Sequence, residues 1–266
     1  MIMLANVFAK TLRDQRRSVI GWSIGIATLI LIEGALWPSV RDMPNLDEFL
    51  ANYPDALKEA FNLGAMTTGT GFMNAELYTL VLPILFLVFG ISRGARLVAG
   101  EEEAGTLEVV LVTPVSTTRL LLEKAAGLLL ALCVLGGVAG ASTLLVSALF
   151  SMGISPSSIA VGSVSMVLLG LEYGFLALAV GAMTGRRSLA MAVPSVAAVA
   201  AYVLYVGGLM VDSLNGWLPW SPFHQALAEG PLASGLPARF AFLAVGAVLV
   251  VAVAGPVFAR RDIRVA

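Results

Sequence analysis

The chain has 266 residues, of which 58% are apolar and 12% charged, with a mean hydropathy of +0.90. A water-soluble domain carries roughly 45–50% apolar and about 25% charged residues, so this composition excludes a soluble fold and describes an integral membrane protein. A net charge of −1 excludes a nucleic-acid binder working by bulk electrostatics, and one cysteine (Cys133) and one histidine (His224) leave no material for a disulfide framework, a Cys/His metal site or paired-histidine catalysis.

In chain order, residues 1–17 are amphipathic: Ile2, Leu4, Val7, Phe8 and Leu12 mix with Lys10, Arg13, Arg16 and Arg17. Such a stretch either lies in the membrane interface near anionic headgroups or is simply a basic flank. Residues 18–37 form the first apolar run long enough to span a bilayer. Glu33 sits where a cleavable signal peptide would need small residues, so this run reads as a retained span. The following loop, 38–75, is acidic; a short surface helix is expected over 46–61 and a Gly/Thr-rich loop over 64–71. A second, shorter span covers 76–92 and contains Pro83. Spans three to six are expected over 125–150, 159–184, 189–211 and 238–259. Between the last two, region 212–237 carries Trp217, Trp220 and Phe223 with Pro219 and Pro222, the composition of an interfacial or re-entrant element.

The spans are apolar on every face rather than alternating, which argues against a β-barrel and for helices. The expected fold is therefore an all-α polytopic membrane protein, a single domain over 1–266 with six spans. Thirteen of the sixteen lysines and arginines fall on one side of this layout, and only Arg41, Lys58 and Arg239 on the other. By the positive-inside bias both termini are cytoplasmic. Gly21/Gly25, Gly136/Gly140 and Gly170/Gly174 have the spacing that permits close helix approach.

Two carboxylates fall inside spans, Glu33 and Glu172. Ser158, Ser165 and Glu172 recur every seven residues and share one helical face. That stripe reads either as a substrate or cation contact in a translocation path or as a neutral, hydrogen-bonded position inside the bundle.

The cytoplasmic segment 93–116 is the most specific in the chain. It joins a carboxylate cluster (Glu101, Glu102, Glu103), a break at Gly105, and a short apolar turn for which Thr106 is the expected N-cap and Glu108 the first-turn anion. Pro114 ends that turn and Ser116 caps the next span. Leu107, Val110 and Leu111 would need a partner surface, and three adjacent glutamates would favour a basic one. The run Glu-Glu-Glu-x-Gly-Thr-Leu-Glu followed by Pro-Val-Ser resembles the signature of ABC type 2 exporter permeases, with Thr117 standing where members often carry a basic residue.

This resemblance implies that Glu101, Glu102, Glu103, Gly105, Thr106, Leu107 and Glu108 form the region coupled to an ATPase subunit, with Pro114 and Ser116 setting its return to the membrane. It implies a multi-pass plasma-membrane protein acting in efflux, with a second permease copy or a sister permease, and with ATP and Mg bound only by the partner ATPase. No Gly-x-x-x-x-Gly-Lys-Ser/Thr loop occurs in the chain, so a transporter subunit rather than an enzyme is expected. The aliphatic spans tilt the expected substrate towards a hydrophobic small molecule. Two other readings remain at this point: a secondary transporter or channel built on Glu172, and an intramembrane hydrolase, which the lack of a second histidine and of paired intramembrane aspartates disfavours.

Overall fold

A computed structural model describes residues 7–44, 52–60, 63–107, 115–232 and 235–261. Six helices are long and apolar enough to cross a bilayer: α1 (Val7–Arg41), α2 (Gly69–Glu103), α3 (Thr117–Leu149), α4 (Pro156–Thr184), α5 (Arg187–Met210) and α6 (Phe240–Arg260). No strand occurs among the described residues. Each expected span coincides with one of these helices. At 33–35 residues, α1, α2 and α3 measure roughly 50 Å, well beyond a ~30 Å hydrocarbon core. Their polar ends therefore project from the apolar zone.

Of the amphipathic N-terminal segment 1–17, residues 1–6 lie outside the described residues. From Val7 it forms the first turns of α1, with Val7, Thr11 and Gln15 buried. Thr11 seats against Gly127 of α3, and the Glu123 carboxylate of α3 accepts a hydrogen bond from the Phe8 amide at 2.9 Å, occupying one of the unpaired donors at the start of α1.

Helix α4 is the most enclosed of the six and packs against α2, α3, α5 and α6. Ser155 caps its start by accepting from the Ser158 amide, Pro156 occupies the first turn, and Gly185 ends it in the left-handed conformation at φ 64°. Gly90 and Gly94 of α2 meet Gly170 and Gly174 of α4 backbone to backbone. A Cβ on Gly94 would lie 2.2 Å from the Gly174 carbonyl oxygen, and one on Gly90 2.4 Å from that of Gly170. Gly136 and Gly140 similarly admit Val167 and Ser163 of α4. For the third pair, Gly21 and Gly25, an added Cβ would meet nothing within 4 Å among the other described elements.

Helix α2 is irregular. Its α-helical pieces Gly69–Met73, Val81–Ala95 and Glu101–Glu103 are joined through the π turns Asn74–Tyr78 and Arg96–Gly100. Pro83 has no amide hydrogen for the Thr79 carbonyl, and the ladder loosens just upstream, where the Thr79 amide reaches Asn74 at 2.9 Å. The stretch 64–71 was expected to be loop throughout, yet α2 begins within it, capped by Thr68. Tertiary contact overrides local propensity here: Cβ atoms on Gly69 and Gly71 would collide with the Met152 and Ala65 carbonyls. Of the surface helix expected over 46–61, Asp55–Ala60 is present, while 45–51 lies outside the described residues.

Region 212–232 folds into Asp212–Asn215, a 3-10 turn Leu218–Trp220 and the helix Pro222–Leu227. It enters the bundle. The Ser165 hydroxyl donates to the Ala226 carbonyl at 2.7 Å, and the Ser221 hydroxyl to that of Ala201 at 2.8 Å. Ser165 and Ala201 each lie roughly 13 Å along their helices from the nearer end of α4 or α5. The Asn74 side chain accepts from the Leu232 amide at 3.0 Å, and Arg239 donates to the Gln225 and Ala228 carbonyls at the end of the Pro222–Leu227 helix. Trp217 and Trp220 stay exposed, as interfacial tryptophans do.

The glycine contacts generate a paired test. Gly94→Ala should lower stability by about 1–3 kcal/mol or more through overpacking against α4. Gly137→Ala, in a helical position with nothing within 4 Å, should be neutral or stabilising by up to about 1 kcal/mol. Thermal unfolding of the two purified variants, followed by size-exclusion, checks the contrast.

Candidate functional site

The end of α2 brings the three carboxylates of the acidic run to the basic ends of the other helices. Glu101 accepts from Lys10 of α1 at 3.1 Å and from Lys124 of α3 at 2.7 Å. Lys124 is fully buried, so its ammonium depends on that carboxylate. Glu102, also buried, makes a two-point pair with Arg261, just beyond the end of α6: the Nη1–Oε1 distance is 3.0 Å and Nη2 meets Oε2. Glu103 accepts from the Arg187 backbone amide at 2.9 Å, at the start of α5, where a helix N-terminus favours an anion.

Gly185, between α4 and α5, completes the arrangement. A Cβ there would fall 2.1 Å from Nη1 of Arg261 and 2.8 Å from Oε1 of Glu102, so the ion pair occupies the space that glycine leaves. Three consecutive residues thus tie α2 to α1, α3, α5 and α6, against the C-cap of α4. A flanking pair, Arg119 with Glu123 at 2.7 Å, holds the start of α3 and, through the Phe8 amide, that of α1.

The chain reverses immediately after this cluster. The Gly105 amide donates to the Glu102 carbonyl at 3.0 Å and the Thr106 amide to that of Glu101 at 2.9 Å, with Gly105 at φ 66°. These two bonds around a left-handed glycine form a Schellman ending. The Thr106 hydroxyl turns back to the Glu101 carbonyl at 3.1 Å. The helix that Thr106 was expected to start lies, beyond Leu107, outside the described residues, and so do Glu108, Val110, Leu111 and Pro114. Ser116 caps α3 through the Arg119 amide at 3.3 Å.

Two expectations are corrected. The adjacent glutamates were expected to favour a basic partner surface, but Glu101 and Glu102 are already paired within the chain by cations from α1, α3 and the end of α6. Leu107 was expected to need a partner, but it is fully buried in this chain. What remains exposed beside the turn is Glu103, Ala104 and Thr106, with Ser116 and Arg119 across the gap.

The residues assigned to a translocation path do not form one continuous feature. Ser158 receives a hydrogen bond from the Ser155 hydroxyl at 2.9 Å in the cap of α4. Ser165 is engaged by Ala226. Glu172 lies farther along α4 against Gly246 of α6, with Oε1 3.1 Å from where a Gly246 Cβ would stand, and its Oε2 is buried without a hydrogen-bond partner. Glu33 sits half-buried near the other end of α1, within electrostatic range of Glu76 of α2. Sequence reading missed Lys10, Lys124, Gly185 and Arg261 as members of the cluster. For the three basic residues the signal was only the excess of Lys and Arg on one side of the spans.

Comparison with known families places the chain. The family described as "ABC-2 family transporter protein" matches residues 5–263. The chain therefore belongs to that family, as a multi-pass membrane permease of an ABC transporter, a class that associates with ABC ATPase subunits. No curated protein matches the sequence.

The cluster can be tested through its most enclosed pair. Glu102→Lys should cost about 3–5 kcal/mol, since it leaves Arg261 facing a like charge. Arg261→Glu alone should do comparable damage, and the double exchange should recover part of the loss. Unfolding temperatures of the two single variants and the double variant in detergent give the coupling directly.

Proposed function

We propose that this chain is the membrane subunit of an ATP-driven exporter, its basic end in the cytoplasm of a plasma membrane, and that segment 101–116 receives the stroke of a separate ATPase subunit. The supporting observation is the carboxylate cluster at 101–103, which joins the start of that segment to the ends of the other spans. A push on the turn at Gly105–Thr106 acts on a point bonded to α1, α3, α5 and the end of α6 rather than on a loose loop. This chain then supplies the lever and the path. ATP and Mg belong to the partner, since no phosphate loop occurs in the sequence.

The functional unit contains two permease chains, either two copies or one copy with a sister. Their spans enclose a path for a hydrophobic small molecule. Ordered ion pairs at the basic end hold that face closed until the ATPase moves it, and the inserted Pro222–Leu227 element closes the opposite end. Docking uses the exposed residues around the turn, Glu103, Ala104 and Thr106, and the continuation through 108–116.

Cross-linking checks the docking. With Cys133→Ser as background, Thr106→Cys should form a disulfide or maleimide link to a cysteine placed in the groove of the co-expressed ATPase, and Trp217→Cys, at the opposite end, should not. Links from Trp217→Cys alone would place the ATPase on the wrong face.

The unpartnered Oε2 of Glu172 favours a second reading, transport coupled to a proton or cation at that carboxyl. Export rate against pH, at matched membrane abundance, separates the two. If Glu172 only packs, Glu172→Gln transports like the parent at every pH and Glu172→Leu lowers abundance alone. If the carboxyl carries a proton or cation, Glu172→Gln flattens the pH dependence at normal abundance.

A further inference from the structure

We propose that the groove between α1 and α2 at the basic end binds an anionic phospholipid, with its phosphate between Arg17 and Arg93 and an acyl chain along Gly21 and Gly25. The groove has a volume of about 550 Å³, and Arg17, Ser18, Gly21, Trp22, Gly25 and Leu85 are among the residues that line it. It follows α1 from Arg17 to Leu29, roughly 18 Å, close to the depth of one leaflet of a ~30 Å hydrocarbon core. Gly21 and Gly25 leave its floor smooth: a Cβ on either would meet no atom of another described element within 4 Å.

Arg17 supplies the charge in the lining, and helix register sets Arg93 of α2 beside it. Trp22 packs edge-on against Phe89 of α2, with ring centroids 5.8 Å apart. The two helices run in opposite directions, so one turn towards the basic end brings Ser18 of α1 level with Arg93 of α2. Arg93 is within electrostatic range of Asp14 on the next turn of α1 and of Arg96 on its own helix. Its Nε is buried and has no hydrogen-bond partner. Among the described residues neither Arg17 nor Arg93 forms an ion pair. Asp14 is held by Lys10 at 2.9 Å.

Arg17 therefore lines the opening of an apolar slot, Arg93 lies level with it on α2, and the nearby carboxylate is already engaged. That pattern complements a phosphodiester with hydrocarbon attached, and the cytoplasmic leaflet, by the orientation proposed above, is rich in such lipids. A second copy of this chain fits less well. A two-fold contact through this face would set Arg17 and its basic neighbours against the same residues of the other copy.

Native mass spectrometry of the full chain in non-ionic detergent tests this, with phosphatidylglycerol and phosphatidylcholine of identical acyl chains as probes. The parent should retain phosphatidylglycerol roughly tenfold or more tightly than phosphatidylcholine, and millimolar inorganic phosphate should not displace it. Arg17→Gln with Arg93→Gln should abolish that preference. Arg17 is exposed, so Arg17→Gln alone keeps the protein folded and should weaken phosphatidylglycerol retention about fivefold. Gly25→Leu fills the slot and should lower retention with every arginine in place. Equal retention by Arg17→Gln and the parent, or displacement by phosphate alone, overturns the proposal. So does a Gly25→Leu variant that loses a dimer yet keeps its lipid, which would make the groove a contact between copies. These readings use no ATPase, so the lipid proposal and the exporter proposal fail separately.

Discussion

Burying a carboxylate beside two others is possible only where cations meet it, and that requirement organises one whole end of this molecule. An isolated ion taken out of water costs several kcal/mol, and only close, well-hydrogen-bonded partners offset it. The run at 101–103 finds them nowhere on its own helix. It finds Lys10, Lys124, Arg261 and the Arg187 amide, each on a different helix. The reverse dependence is equally strict, because the fully buried Lys124 ammonium has Glu101 as its partner. Forming this cluster therefore demands that α1, α2, α3, α5 and α6 all end at the same level, and it leaves Gly185 as the residue that admits the Arg261 pair.

The same helix that carries the carboxylates is both clamped and loosened. Between Phe86 and Gly94, α2 touches α4 through glycines at distances no Cβ would allow, so it cannot slide there without losing the contact. Immediately beyond, Arg96–Gly100 is a π turn, and another precedes the clamped stretch at Asn74–Tyr78. Such turns concentrate adjustment in a few residues. The π turn Arg96–Gly100 thus lies between the stretch clamped on α4 and the ion pairs at 101–103. The Schellman ending at Gly105 makes the exit from this end a defined corner rather than a frayed one.

Much of this architecture was legible in the sequence because lipid simplifies the problem: six runs apolar on all faces must be helices, and Lys and Arg mark one side. What escaped was whatever depended on a partner distant in sequence. The 64–71 stretch looked like loop because Gly69 and Gly71 have poor helix propensity. Gly69 is there because the Met152 carbonyl, far along the chain, presses against it. Ser158 and Ser165 share a face with Glu172, as periodicity required, but they serve the cap of α4 and the Ala226 carbonyl. The glutamate run stood out in the sequence, yet Glu101 and Glu102 are paired within the chain. Composition shows that carboxylates are present, and only the fold shows that Lys10 and Arg261, far apart in sequence, arrive beside them. Gly21/Gly25 could not be told apart from Gly170/Gly174 by spacing, although one pair faces open space and the other α2.

The two ends of the bundle are held by different chemistry. At the basic end the closure is ionic, at helix termini that project beyond the hydrocarbon and can be solvated as they part. At the other end the inserted Pro222–Leu227 helix is held by Ser165, Ser221 and Arg239 donating to backbone carbonyls and by Asn74 accepting from Leu232. Three of these anchors are neutral, and such bonds between membrane-embedded groups are worth on the order of 1 kcal/mol each. Releasing the inserted element therefore costs a few such bonds plus the packing of Phe223, Ala226 and Leu227. Parting the basic end separates at least three charge pairs, two of them around buried Lys124 and Glu102. Charge pairs therefore carry the contacts at one end of the bundle, and mainly neutral hydrogen bonds carry those at the other.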